Sequence, residues 1–461
     1  MERGSSALFT DHYELTMVES ALKSGVAERR SVFEVFARRL PEGRAYGVVA
    51  GIDRVVDAVE RFRFDDDSVD HLLDCGVIRG ELMADWLRDY SFGGDVTGYA
   101  EGELFFPYSP VLTVAGSFAE CVVLETVLLS VLNHDCAVAS AAARVADAAG
   151  GRLLVEGGSR RTDPESAVAA ARASHVGGFD TTSNLEAGRR HGIPTGGTTA
   201  HAFVLAHASE EEAFMVQRDT LGVGSTYLVD TFDVMAGIRR AVDVVGRGIG
   251  AVRIDSGELL ADSRAARRLL DELGAVDCRI VVSSDLDEFL IAELEMAGAP
   301  INAYLVGTSL VTGSGHPTAS MVYKLVSIAD GDHPAPLRAV GKHSPGKRTI
   351  GGHKSVHRTY DANGRYLAEV LSVLPVEVPD DSMRPQVPLL RDGEVVADLT
   401  DVSEARARCA ERRSRLLDED RTPWPATTPA VPTIWEGVTE PLSAAVVNSN
   451  GGVNSNGGTT R

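Results

Sequence analysis

Seven short runs of chemically loaded residues recur through the middle of this 461-residue chain, each directly after a β-type run. In order they are Glu156-Gly157-Gly158-Ser159-Arg160-Arg161, Gly177-Gly178-Phe179-Asp180, Gly197-Thr198-Thr199-Ala200-His201, Asp230-Thr231-Phe232-Asp233, Asp255-Ser256-Gly257-Glu258, Ser283-Ser284-Asp285-Leu286-Asp287 and Gly307-Thr308-Ser309. Arginine pairs bind carboxylate or phosphate through forked hydrogen bonds. Glycine-threonine turns offer backbone N–H groups to anions, and histidine can carry a proton or act as a nucleophile. His201 is read as opening a helix, where free N–H groups favour anionic chemistry. Arg253 and Asp255 alternate along a strand end, so their side chains share one side. They serve either as substrate donor and orienting anion or as an ion pair holding the loop; Asp180 is read as a second orienting anion.

The elements that must position these residues follow from the spacing. The β-type runs are Arg152-Leu153-Leu154-Val155, Val176, Ile193-Pro194-Thr195, Tyr227-Leu228-Val229, Ala251-Val252-Arg253-Ile254, Ile280-Val281-Val282 and Ala303-Tyr304-Leu305-Val306. They recur roughly every 20–30 residues with helix formers between, as in consecutive βα units with parallel strands. Helices are expected over Pro164–Ser174 and Gly257–Leu273. The fold class is therefore α/β, with an irregular (β/α) barrel core over residues 116–324. In such barrels the loops after the strands build the active site.

Strand-like runs at Ser31–Phe36, Gly47–Ala50 and Asp95–Phe106 imply a partly β N-terminal α+β domain over 1–115, to which about 325–400 return. A late helix at Ala405–Asp418 belongs to a C-terminal helical extension, 401–445, and the Val-Asn-Ser-Asn-Gly-Gly repeat of 446–461 is expected to be disordered. Gly313-Ser314-Gly315 extends the Gly307 loop as a phosphate candidate, and Lys342 to Lys354, including Lys347, is the densest basic stretch.

The bulk properties exclude some partners. A formal charge of −21, from 45 basic and 66 acidic residues, opposes nucleic acid and anionic membranes as principal partners. The most apolar run, Cys121–Leu132, is interrupted by Glu125 and falls short of the ~20 residues of a membrane span. Five dispersed cysteines without a CxxC pair fit reduced thiols, so a soluble cytoplasmic protein is expected.

With these motifs assembled, the chain resembles the nicotinate phosphoribosyltransferases, of the type II phosphoribosyltransferase fold. The resemblance runs through Thr10-Asp11-His12-Tyr13-Glu14-Leu15-Thr16-Met17, Phe36-Ala37-Arg38-Arg39-Leu40-Pro41, Gly178-Phe179-Asp180-Thr181-Thr182-Ser183-Asn184, Gly197 to His201, Val252 to Gly257, Val306 to Ser309, Val322-Tyr323-Lys324-Leu325 and Lys342 to Lys354. It departs at Ile350-Gly351-Gly352, where many members have proline before the glycine. The resemblance implies condensation of nicotinate with phosphoribosyl pyrophosphate, coupled to ATP hydrolysis with Mg2+ through a phosphohistidine at His201. It implies a homodimer with shared active sites. Tyr13 and Phe179 would flank the pyridine ring; Arg253, Thr198 and Arg161, with Asp180, would hold nicotinate; Asp255 and Asp285 would orient ribose and metal. Arg160, Ser256, Gly257, Gly307, Thr308, Ser309, Lys347, Gly351 and Gly352 would bind the phosphate groups, and the metal ligands are left open. A nicotinamide or quinolinate phosphoribosyltransferase, or a non-catalytic nucleotide-binding homologue, are the alternatives.

Overall fold

A computed structural model describes residues 4–331, 335–342, 349–376, 379, 382–399 and 401–436. Lys347 and the 446–461 repeat lie outside the described residues.

The middle of the chain forms a six-stranded parallel sheet in the order Thr181–Thr182, Leu153–Glu156, Ala303–Val306, Arg279–Ser283, Ala251–Ile254 and Thr226–Leu228. A bridge from Thr182 to Thr195 continues it by one position. Apart from the pairing of Leu153–Glu156 with Ala303–Val306, each strand lies beside its neighbour in sequence, as a half-barrel requires. The sheet is open between Thr195 and Thr226, where the helices His201–Leu205 and Glu210–Leu221 run instead. Isoleucine, valine, leucine and tyrosine from these strands pack inside the helices Val234–Val245, Leu259–Glu272 and Glu288–Met296.

The expected Val176 strand is not one. The helix that Asp163 caps and Pro164 opens continues through Val176 to Gly177 and ends at Gly178, whose φ of 125° suits glycine. The strand starts only at Thr181. The run of alanines across Pro164–Gly177 lets this helix press against the long helix Glu125–Ala148. A Cβ on Gly177 would come within 2.4 Å of the Ala142 Cβ.

Helical chain from Phe118 to Ala148 is long and apolar enough to cross a membrane, with a mean hydropathy of 1.5. Two thirds of its most apolar 18-residue stretch is buried inside the protein, which is the burial of a core helix.

The antiparallel layer draws on both ends of the chain. Its seven-stranded sheet runs Leu337–Ala339, Met321–Ala329, Arg30–Ala37, Leu112–Ser117, Asp95–Tyr99, Gln386–Arg391, Glu394–Val395. A smaller sheet joins Lys354–Tyr360, Tyr366–Val373 and, parallel to the latter, Thr433–Glu436. The last segment is thus not purely helical. Its helix, Val402–Ser414, packs on Pro164–Gly177, and Arg406 reaches Asp180 at 2.6 Å. Charged residues bind the layers together. Arg358 is fully buried between Glu103 (2.8 Å) and Glu369 (2.9 Å), and Lys354 is buried on Glu34 at 2.6 Å.

Candidate active site

The strands of the half-barrel end on one face, and most of the predicted residues meet there. A cleft of about 210 Å3 is lined by Arg160, Arg161, Arg253, Asp255, Asp285 and Thr308, together with Gly157 and Gly307. Arg160 and Arg161 sit in a short 3-10 turn after Leu153–Glu156, exposed and without a carboxylate partner among the described residues. That turn needs Gly158. A Cβ there would lie 2.2 Å from Val311, in the short helix Thr308–Val311 that follows Gly307.

Arg253 points inward from its strand, donating through Nε to Ser283 Oγ (2.8 Å) and through Nη2 to Asp255 (2.7 Å). The Asp255 carboxylate also accepts the Ser283 hydroxyl. Burial alone would raise the Asp255 carboxyl. The Ser283 and Arg253 hydrogen bonds, with the charges of Arg253 and His201, outweigh it and hold Asp255 below the usual carboxylate range. An ionised carboxylate therefore stands at the mouth next to a guanidinium with donors to spare.

His201 is the first residue of its helix, as its sequence position implied. Its Nε2 lies 3.7 Å from Asp255 and 3.9 Å from Asp230, and Nδ1 lies 3.2 Å from Thr231 Oγ1. Asp230 belongs to a loaded loop, yet its sequence context assigns it no role in the site. Its Oδ2 accepts the Asp255 N–H (2.9 Å) and the Ser256 hydroxyl (2.8 Å), while its buried Oδ1 has no hydrogen-bond partner. The signal was present: Asp230, Asp255 and Asp285 each follow a strand end closely. The neighbouring acids behave differently. Asp163, Asp233 and Asp287 cap the helices that follow, accepting N–H groups one turn ahead.

Other predicted residues lie elsewhere. Phe179 and Asp180 are at the opposite end of the half-barrel. Phe179 is buried in its core, and Asp180 accepts the Leu154 N–H (2.8 Å) and binds Arg406. They precede their strand instead of following one, because the helix runs on to Gly177; neither reaches the cleft. The mouth position on this strand is held by Thr182, whose hydroxyl donates to buried Glu156 at 2.5 Å. Thr198 turns its hydroxyl onto the Thr199 carbonyl (2.9 Å). Gly351 and Gly352 sit against Val340, Val326 and Val373 in the antiparallel layer, where Gly352 has φ of 99°. Lys354 of the basic stretch points into the protein. Tyr13, half exposed on the helix His12–Ser24, lies beside Glu125, which binds Lys324 at 3.2 Å; burial and then Glu125 raise its phenol. No described contact joins Tyr13 to the cleft of its own chain.

A half-barrel whose mouth gathers paired arginines, a histidine between carboxylates and glycine turns, beside an antiparallel layer, has the architecture of the type II phosphoribosyltransferases. Comparison with known proteins agrees. Residues 8–133 match the family model of the nicotinate phosphoribosyltransferase (NAPRTase) N-terminal domain. The chain is 51% identical over 443 residues to the nicotinate phosphoribosyltransferase pncB1 of Mycobacterium tuberculosis, covering 93% of this chain and 95% of that one. It is 36% identical over 376 residues to the nicotinate phosphoribosyltransferase of Bacillus subtilis, covering 79% and 76%. The crystal structure of human nicotinic acid phosphoribosyltransferase superimposes with a TM-score of 0.79 at 25% identity, over 94% of this chain and 99% of that one. The chain belongs to the nicotinate phosphoribosyltransferase family.

Proposed function

We propose that this protein joins nicotinate to phosphoribosyl pyrophosphate, giving nicotinate mononucleotide and pyrophosphate, with ATP hydrolysis coupled through His201. The observation that carries the reading is His201 facing Asp230 and Asp255 at the edge of a cleft lined by Arg160, Arg161 and Arg253. In the coupling half-reaction the terminal phosphoryl group of ATP passes to a ring nitrogen of His201 and ADP leaves. Water later takes that group as inorganic phosphate and frees the imidazole.

In the main reaction the pyridine nitrogen bonds to the anomeric carbon as the bond to the pyrophosphate oxygen breaks. The oxygen keeps the electron pair. Arg253, anchored on Asp255 and Ser283, keeps Nη1 for the nicotinate carboxylate. Asp255, held ionised, faces the positive charge that grows on the sugar. Arg160 and the Gly307–Ser309 turn would take the phosphate groups, the arginine as a cation and the turn through backbone N–H groups, while Arg161 would join Arg253 on the nicotinate carboxylate.

Among the described residues no group of three or more His, Cys, Asp or Glu could hold a metal. Magnesium keeps most of its waters and binds through substrate phosphates and one or two carboxylates. Asp255 and Asp285 are the carboxylates in reach of the cleft. Bound there, magnesium would neutralise the departing pyrophosphate.

Tyr13 enters this reading only through a second copy. A homodimer in which Tyr13 of one protomer covers the pyridine site of its partner accounts for an exposed tyrosine with no described contact to its own cleft.

Incubation with ATP and magnesium is expected to leave an acid-labile phosphate on the protein, and His201→Asn to abolish both label and ATP stimulation. Persistence of both in the variant refutes the coupling. Turnover measured with each base in parallel tests the substrate: use of nicotinamide or quinolinate but not nicotinate refutes it.

A further inference from the structure

The loops after the adjacent strands Arg279–Ser283 and Ala303–Val306 carry Asp285 and the Gly307–Ser309 turn. Their ladder ends at Ser283 and Leu305, and side chains take over from there. The Ser309 hydroxyl donates to the Leu286 carbonyl, and its own carbonyl accepts the Ser314 N–H at 2.6 Å. The Ser314 hydroxyl donates to one oxygen of Glu288, and the other oxygen accepts Arg144 Nε at 3.1 Å. Arg44 Nη2 donates to the Gly313 carbonyl at 2.8 Å from the antiparallel side.

Two features mark this as more than packing. Glu288 is 1% exposed and stands opposite two buried guanidiniums, so it balances a local excess of positive charge; burial and then Arg144 lower Arg44 to about 10. Ser314 has φ of 49°, in the left-handed region, between Gly313 and Gly315 at 71° and 80°. Glycine would take that conformation freely, whereas a side chain there is strained. The strained residue is the one whose hydroxyl reaches Glu288.

We propose that Glu288, acting through Ser314, is a positioning residue for the phosphoribosyl end of the site, clamping the Asp285 loop to the Gly307–Ser314 loop. The inference rests on the activity proposed above. A loose clamp would let the phosphate-binding N–H groups drift against Asp285. The nicotinate end, built on Arg253 and Ser283, would stay in place.

The test is Ser314→Gly in the full-length protein, which removes the hydroxyl, suits the backbone and keeps the Arg144–Glu288 pair. Phosphoribosyl pyrophosphate binding with magnesium is measured by calorimetry, KM for each substrate by turnover, and Tm by melting. Kd and KM for phosphoribosyl pyrophosphate are expected to rise on the order of tenfold, the scale of about one hydrogen bond's net contribution. KM for nicotinate and Tm should stay near the parent values. Ser314→Asn, which tolerates the left-handed backbone and offers Glu288 an amide N–H, should recover part of the affinity. Unchanged phosphoribosyl pyrophosphate affinity in Ser314→Gly overturns the inference. So does a parallel rise in both KM values with a lower Tm, which marks a purely structural role. A parent that binds phosphoribosyl pyrophosphate but does not turn over nicotinate refutes the proposed activity, and the Kd ratio still decides the clamp. A parent without affinity for phosphoribosyl pyrophosphate refutes both.

Discussion

Replacing Arg253 with lysine keeps the charge and removes the fork. In the parent, Nε holds Ser283 at 2.8 Å and Nη2 holds Asp255 at 2.7 Å, with the side chain 13% exposed, so solvent cannot replace a lost donor freely. Lysine presents one nitrogen on a shorter reach. It can stay on Asp255 or turn to an incoming carboxylate, but it cannot span Asp255, Ser283 and substrate together. At least one hydrogen bond to a charged group is lost, about 1.5–3 kcal/mol. With tenfold for every 1.4 kcal/mol, kcat/KM for nicotinate should fall by about 10- to 150-fold. The assay is steady-state turnover at saturating phosphoribosyl pyrophosphate, with calorimetric binding of phosphoribosyl pyrophosphate as the control that should hardly move. An Arg253→Lys protein with unchanged kcat/KM, or one that loses affinity for phosphoribosyl pyrophosphate instead, would refute the assignment of Arg253 to the nicotinate carboxylate.

Further expectations concern stability. Lys354→Met strands Glu34 in the interior without its 2.6 Å partner and should cost about 3–5 kcal/mol in a denaturant titration, the usual penalty for breaking a buried pair. Pairing it with Glu34→Leu should restore most of the loss; no recovery would mean that the ion pair is not what the substitution breaks. Asp53 competes with Glu101 for Arg172, and Glu101 holds that guanidinium through two bonds of 2.6 Å. Burial and then the Glu101 charge push Asp53 up to about 7. The folded protein thus binds a proton that the unfolded chain has already released above pH ~4, and stability falls as pH rises from there to about 7. Asp53→Asn should melt above the parent at pH 8, with the gap closing toward pH 5; a gap of constant size would show that titration is not its cause.

Much of the site was legible because a parallel strand announces itself locally. Ala251-Val252-Arg253-Ile254 and Arg279 to Ser283 are β-branched runs, each ending in polar residues where a βα loop must begin. His201 at a helix start, the Arg160-Arg161 pair and the Gly307 turn could be read in the same way. Phe179 and Asp180 misled because one valine before two glycines looks like a strand end. Whether a helix stops at Ser174 or Gly177 depends on Ala142, more than thirty residues away, and on whether glycine lets the two helices touch.

The sequence by itself determined the alternation of strand and helix, the face that carries the chemistry and the family to which the chain belongs. Periodicity, turn residues and motif order are properties of neighbours along the chain. Only the tertiary structure decided which acid does what. Asp233 and Asp287 cap helices, Asp180 binds Arg406 at the far end, and Asp230 meets His201. Lys354 turns inward to Glu34, and Glu288 joins two loops through Ser314. A carboxylate carries no mark of its partner in the sequence. Its role is fixed by the charge and the donor that folding brings within about 3 Å, where hydrogen bonds form.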